Sequence, residues 1–172
     1  MHRFFSILAV VALATVVRGQ AKEDVGDKER AAVKKHAQDS MNAYTKGEHA
    51  RFADLVCPEV LELVGGRDKL IALMKKVDDA MKANAVTYGP VTVGDPGKFA
   101  RMGKTLVTTI PFTVEYAGPG VKRKDESYLI GFSTDQGKTW KFADGRKLTR
   151  DNVKDVFPKF PDGIDLPGGK GK

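Results

Sequence analysis

The chain has 172 residues, enough for one domain with a real hydrophobic core. Its 41% hydrophobic and 30% charged residues are those of a soluble globular protein. The single cysteine, Cys57, excludes an intramolecular disulfide, and without Cys/His clusters at ligand spacing a structural zinc site is excluded too. No metal and no cofactor is expected.

Met1-His2-Arg3 precedes an apolar run from Phe4 to Val17, with small residues at Gly19 and Ala21 where cleavage can fall. That is the layout of a secretory signal peptide over residues 1–21, too short and wrongly flanked for a stable span. An uncleaved anchor is the alternative. Cleavage removes Arg3 and Arg18 and leaves 27 Lys and Arg against 22 Asp and Glu, a net charge of +5. The expected product is secreted or periplasmic, with no membrane span after cleavage. Lys34-Lys35, Lys75-Lys76, Lys122-Arg123-Lys124 and Arg146-Lys147 are dispersed and interleaved with acids. They lack the aromatic spacing of a stacking platform, so they read as a solvated exterior and not as a nucleic-acid surface.

Asp27 to Lys46 carries Val33, Ala37, Ser40, Met41 and Tyr44 at helical spacing, with His36 at the edge of that face. Asp27 reads as its N-cap and Gly47 as its stop. His49 to Val56 is a second, short helix, Pro58 to Leu63 adds a turn, and Gly65-Gly66 breaks it. Cys57, among apolar residues, reads as a small buried hydrophobe. A third long helix, Arg67 to Lys82, has a stripe of Leu70, Ile71, Leu73, Met74, Val77 and Met81.

From Val86 the period changes to two. Val86 to Val93 is a strand interrupted by Gly89-Pro90, and Gly94 to Gly97 a turn. Lys104 to Ala117 is a long strand in which Pro111 marks an edge or a bulge, and Val121 to Ser133 the next. Asp135-Gln136-Gly137-Lys138 then turns the chain into a last strand, Thr139 to Phe142. Thr149 to Val156 forms one or two helical turns, and residues 158–172 read as a mobile Pro/Gly/Lys-rich tail, ordered at most near Phe160 and Leu166. Residues 22–157 therefore form one α+β domain, three N-terminal helices on a sheet of about four antiparallel strands.

Two resemblances follow from these residues. Ser133 to Trp140 resembles an Asp-box, the Ser-x-Asp-x-Gly-x-Thr-Trp hairpin of β-propeller proteins, with Asp135, Gly137 and Trp140 as its structural residues. One copy does not make a propeller, so the implication is a well-built hairpin only. The run from Asn42 to Leu55, then Pro58, then Val64-Gly65-Gly66-Arg67-Asp68-Lys69-Leu70, resembles the first half of an NTF2-like domain, of the nuclear transport factor 2, ketosteroid isomerase and SnoaL superfamily. That resemblance implies a cystatin-like cone, a curved sheet wrapped against the helices around a pocket. It also implies an isomerase-type Tyr and base carboxylate, but the matching positions are Ser40 and about Val64, with Glu62 nearby, and neither identity is present.

The expected pocket lining is His36, Ser40, Met41, Tyr44, Met74, Met81, Phe112 and Tyr128, suited to a small hydrophobic ligand. Catalysis is not expected. The alternative is a small SnoaL-like or isomerase-like enzyme with His36 or Glu126 as general base. His36 reads more readily as a half-buried packing residue than as a base, and His49 as a surface or capping residue. Glu126 would be a buried carboxylate if its strand face is the concave one, and is an ordinary exposed Glu if the strand end projects into water, which is the expectation. A third reading makes the sheet a homodimer or protein-interaction face through Val107, Thr109 and Thr113.

Overall fold

The computed structural model describes residues 25–166. The signal peptide expected over residues 1–21 and the last six residues of the expected tail lie outside the described residues. No helix among the described residues is long and apolar enough to cross a membrane.

Four helices precede the sheet: α1 Asp27–Thr45, α2 His49–Leu55, α3 Pro58–Leu63 and α4 Arg67–Ala83. Val33, Ala37 and Met41 recur every fourth residue of α1, and with Ser40 and Ala43 they are buried. The N-cap is Gly26, without a side-chain bond; Asp27, expected there, is the first helical residue instead. Gly47 takes φ 69° and lets Glu48 N–H close back on the Ala43 carbonyl at 2.9 Å, which turns the chain into α2. In α4 the apolar stripe is only half covered. Met74 is its one buried residue, while Leu73 and Val77 are 45% and 43% exposed.

Five antiparallel strands follow: β1 Thr87–Val93, β2 Phe99–Met102, β3 Thr105–Gly118, β4 Val121–Ser133 and β5 Lys141–Asp144. The sheet runs β1-β3-β4-β5, with β2 paired to the other half of the β3 edge that β1 occupies. Gly89 and Pro90 form the irregularity between Tyr88↔Tyr116 and Val91↔Val114, where two residues oppose one. Pro111 faces the gap between β1 and β2. Its carbonyl accepts from Gly94 N–H at 2.8 Å and that of Thr109 from Gly97 N–H at 2.8 Å, so the donor that proline lacks has no ladder partner to miss. β2 was not expected, because four residues show too little alternation; it is made by its pairing to β3 across a two-residue turn with Gly103 at φ 63°.

The sheet separates two cores. On one face Val33, Ala37 and Met41 of α1 pack on Phe112, Val114, Leu129, Trp140 and Phe142. On the other, Val107, Tyr128, Ile130, Phe132 and Ala143 are covered by the chain's own end. After a 3-10 turn at Gly145–Lys147 and α5 Val153–Val156, the buried Phe157, Phe160, Ile164 and Leu166 cross that outer face. Burying each is worth about 1.5–3 kcal/mol, enough to fix a short segment. Lys98–Asp165 and Lys154–Asp162, both at 2.8 Å, tie down its rim. The expected mobile tail is thus packed through Leu166. The same segment leaves Val107 at 0% and Thr109 at 7% exposure, so that part of the surface offered above to a partner is taken by the chain itself, while Thr113 is half-buried.

Between β4 and β5 the link is a seven-residue loop rather than a tight turn. Asp135 accepts from Ser133 Oγ at 2.8 Å, Thr139 N–H at 2.9 Å, Thr139 Oγ1 at 2.7 Å and Lys138 N–H at 3.1 Å. Those bonds, led by the Thr139 N–H, hold its carboxyl at about 2, below the ordinary 3.8. Gln136 and Gly137 are both left-handed, and Trp140 is buried beneath with Nε1–H donating to the Gly137 carbonyl at 3.0 Å.

Candidate functional site: an apolar cavity under α4

Helices α1, α2 and α4 do not close completely on the sheet. They leave a cavity of about 240 Å3. Its floor is Phe112, Val114, Leu129 and Phe142 from alternate positions of β3, β4 and β5; its walls include Met41 and Tyr44 of α1 and Phe52 of α2. Leu70, Met74 and Val77, spaced four and three apart on α4, roof it. The cavity exists because α4 meets mainly α2 and rests only lightly on the sheet.

Polar groups in the lining are few. Ser40 is wholly buried and its Oγ has no hydrogen-bond partner among the described residues. At another part of the wall Asp144 and Arg146 form a closed pair. Arg146 Nε donates to Asp144 Oδ2 at 2.7 Å, Nη2 donates to the same oxygen, and the Arg146 backbone N–H donates to Oδ1 at 2.9 Å. Asp144 holds the guanidinium above its usual range, and the Tyr44 hydroxyl beside it adds to that. Both carboxylate oxygens are engaged, so Asp144 is not poised as a base. Burial raises the Tyr116 phenol, which remains a neutral wall residue.

Five of the eight residues expected to line a pocket meet here: Ser40, Met41, Tyr44, Met74 and Phe112. Three do not. Tyr128 lies on the opposite sheet face, donating its hydroxyl to the Leu148 carbonyl. Its ring is stacked so closely on Gly145 that a Cβ there would meet it at 2.2 Å, so Tyr128 supports the turn carrying Arg146 from behind. Met81 sits farther along α4, outside this cavity. His36 is half-buried one turn before Ser40, its Nδ1 without a hydrogen-bond partner among the described residues, and it does not reach the lining. Glu126 is on the outer face with its side chain 79% exposed, 3.9 Å from Lys124. The two candidate bases therefore stand apart from the cavity and on different elements. Val64 and Glu62, at the isomerase-type carboxylate position, are absent from the lining as well.

His49, expected at the surface, is largely buried and binds Asp78 of α4 through Nε2 at 3.1 Å, pinning α4 to the start of α2. Burial pushes the Cys57 thiol up to about 12, which leaves it an inert core residue. No group of three or more metal-ligating side chains occurs among the described residues. Phe52, Val56 and Val60 of the lining were not foreseen as pocket residues; their position on one side of the short helices α2 and α3 was the available signal. Arg146 and Asp144 gave none, since their meeting depends on the turn after β5.

No known protein family matches the chain, and no curated protein does. Among solved structures, a 2.5 Å structure from Catenulispora acidiphila aligns at 11% identity and TM-score 0.47, covering 66% of this chain and 89% of that one. A 2.35 Å structure from the same organism in complex with S-DNPA aligns at 12% and 0.46, covering 66% and 87%. An NTF2-like protein with a cystatin-like fold from Novosphingobium aromaticivorans aligns at 16% and 0.43, covering 67% and 77%. These are likenesses of fold at low identity, and none carries chemistry to the cavity.

Proposed function

We propose that this chain is an exported, NTF2-like domain that binds a small apolar ligand in the cavity under α4 and does not itself catalyse a reaction. The cavity carries the proposal: about 240 Å3 of space bounded mostly by Met, Leu, Val and Phe side chains. An apolar cavity of about 150 Å3 takes up benzene, so this one suits roughly one to two rings or a comparable apolar group. The NTF2-like reading is supported by the order of helices and strands and by the run from Asn42 to Leu70. Export is supported by the apolar run from Phe4 to Val17. The non-catalytic reading is supported by the placement of His36 and Glu126 away from the lining and by the closed Asp144–Arg146 pair.

The test is thermal unfolding of the purified chain with toluene or naphthalene at rising concentration. Binding to the folded state raises the melting temperature by linkage, about 2.7 kcal/mol at a hundredfold excess over Kd. Met74→Trp, which fills the cavity, abolishes that shift. A melting temperature indifferent to every apolar probe, in the parent and in the filled variant alike, refutes the proposal.

A further inference from the structure

A second hollow adjoins the cavity at Val77. It is a groove of about 540 Å3, formed by Ala80, Met81 and Val86 with Asn84 and Arg123 at its rim. Val77 and Tyr116 line both hollows and are their common wall. Leu70, Met74, Val77 and Met81 form one continuous stripe along α4, so a single helix face roofs the two in line. From Leu70 to Asn84 that roof is about 20 Å long at 1.5 Å per residue.

The two ends differ. The floor of the inner hollow is buried, with Phe112, Val114, Leu129 and Phe142, whereas every residue of the groove is half-exposed or exposed. Arg123 stands over the Tyr116 ring at 4.9 Å and is paired with Asp125 at 2.8 Å. With its charge matched by Asp125, the rim offers hydrogen-bonding groups without net charge.

Resting on the ligand-binding reading above, we infer that the ligand class is a single-chain amphiphile, an alkyl chain in the inner hollow passing between Val77 and Tyr116 to an uncharged hydrogen-bonding head at Asn84 and Arg123. A compact ring system fills one chamber and gains nothing from the second. A flexible chain gains from both, because each methylene that leaves water adds the same increment. An ionised head would have to leave water without meeting an unmatched cation.

The experiment titrates the purified chain by calorimetry with normal alkanols from butanol to dodecanol, and with the matching alkanoates. Affinity is expected to tighten about fourfold per added methylene through decanol. Alkanols are expected to bind at least tenfold more tightly than alkanoates of equal length. Met81→Trp, which obstructs only the groove, is expected to weaken decanol tenfold or more and leave butanol unchanged; Ala80→Trp, at an exposed position of the groove alone, is expected to do the same. A plateau at hexanol, an unchanged decanol affinity in both variants, or alkanoates binding as tightly as alkanols overturns this inference while butanol binding leaves the cavity proposal standing. Failure of every alkanol, butanol included, overturns both.

Discussion

Replacing Ser40 by Ala is expected to make the protein more stable. Ser40 has 0% exposure, lines the cavity, and its Oγ has no hydrogen-bond partner among the described residues. A buried hydroxyl left unpaired costs about 1–3 kcal/mol, and Ser in a helix interior is about 0.5 kcal/mol worse than Ala. The loss of packing is small, since the oxygen borders open space. The balance is a gain of about 1–2 kcal/mol, or about 3–6 °C in melting temperature for a domain of this size. Urea and thermal unfolding of parent and variant measure it. Thr45→Ala on the same helix is the control: its hydroxyl is satisfied by the Met41 carbonyl at 3.1 Å, so its removal changes stability by less than about 1 kcal/mol. Destabilisation of Ser40→Ala by 1 kcal/mol or more would show that Oγ is hydrogen-bonded after all, and would refute the description of that wall as bearing an unmet donor.

Two further perturbations probe the scaffold. The Asp135 carboxyl sits at about 2 in the folded protein against 3.8 ordinarily, so its contribution is fully present above about pH 4 and is lost as pH falls through 2. Asp135→Ala should cost about 1–2 kcal/mol at neutral pH, with urea midpoints converging on the parent's near pH 2; a pH-independent gap would mean that the charge is not what holds the loop. Ile164→Ala should cost about 2–5 kcal/mol, and the combined Phe160→Ala, Ile164→Ala variant should bind apolar dye at the uncovered sheet face while keeping toluene binding on the other. Stability equal to the parent's would mean that the segment is not docked.

Local periodicity reached most of the secondary structure. The 3.6-residue repeat of Val33, Ala37 and Met41 and the two-residue repeat of Leu106 to Tyr116 are properties of short stretches, so the α1 face and the long strand were legible. So was the irregularity at Gly89-Pro90, because those residues restrict the backbone wherever they occur. β2 was not, since a four-residue strand exists only by pairing with Thr105 to Thr108. Part of the site was legible for a similar reason: Ser40, Met41, Tyr44 and Met74 lie on helix faces that must point inward.

Which sheet face they meet is another matter. Tyr128 and Leu129 alternate, and nothing local to β4 says which of them looks toward the helices. That was decided when residues 153–166 folded over the outer face and took Tyr128, Ile130 and Phe132 with them. The residues alone determined an α+β chain with apolar helix faces to bury. Only the tertiary structure decided that α4 would bury its face incompletely, and that shortfall in packing is the cavity.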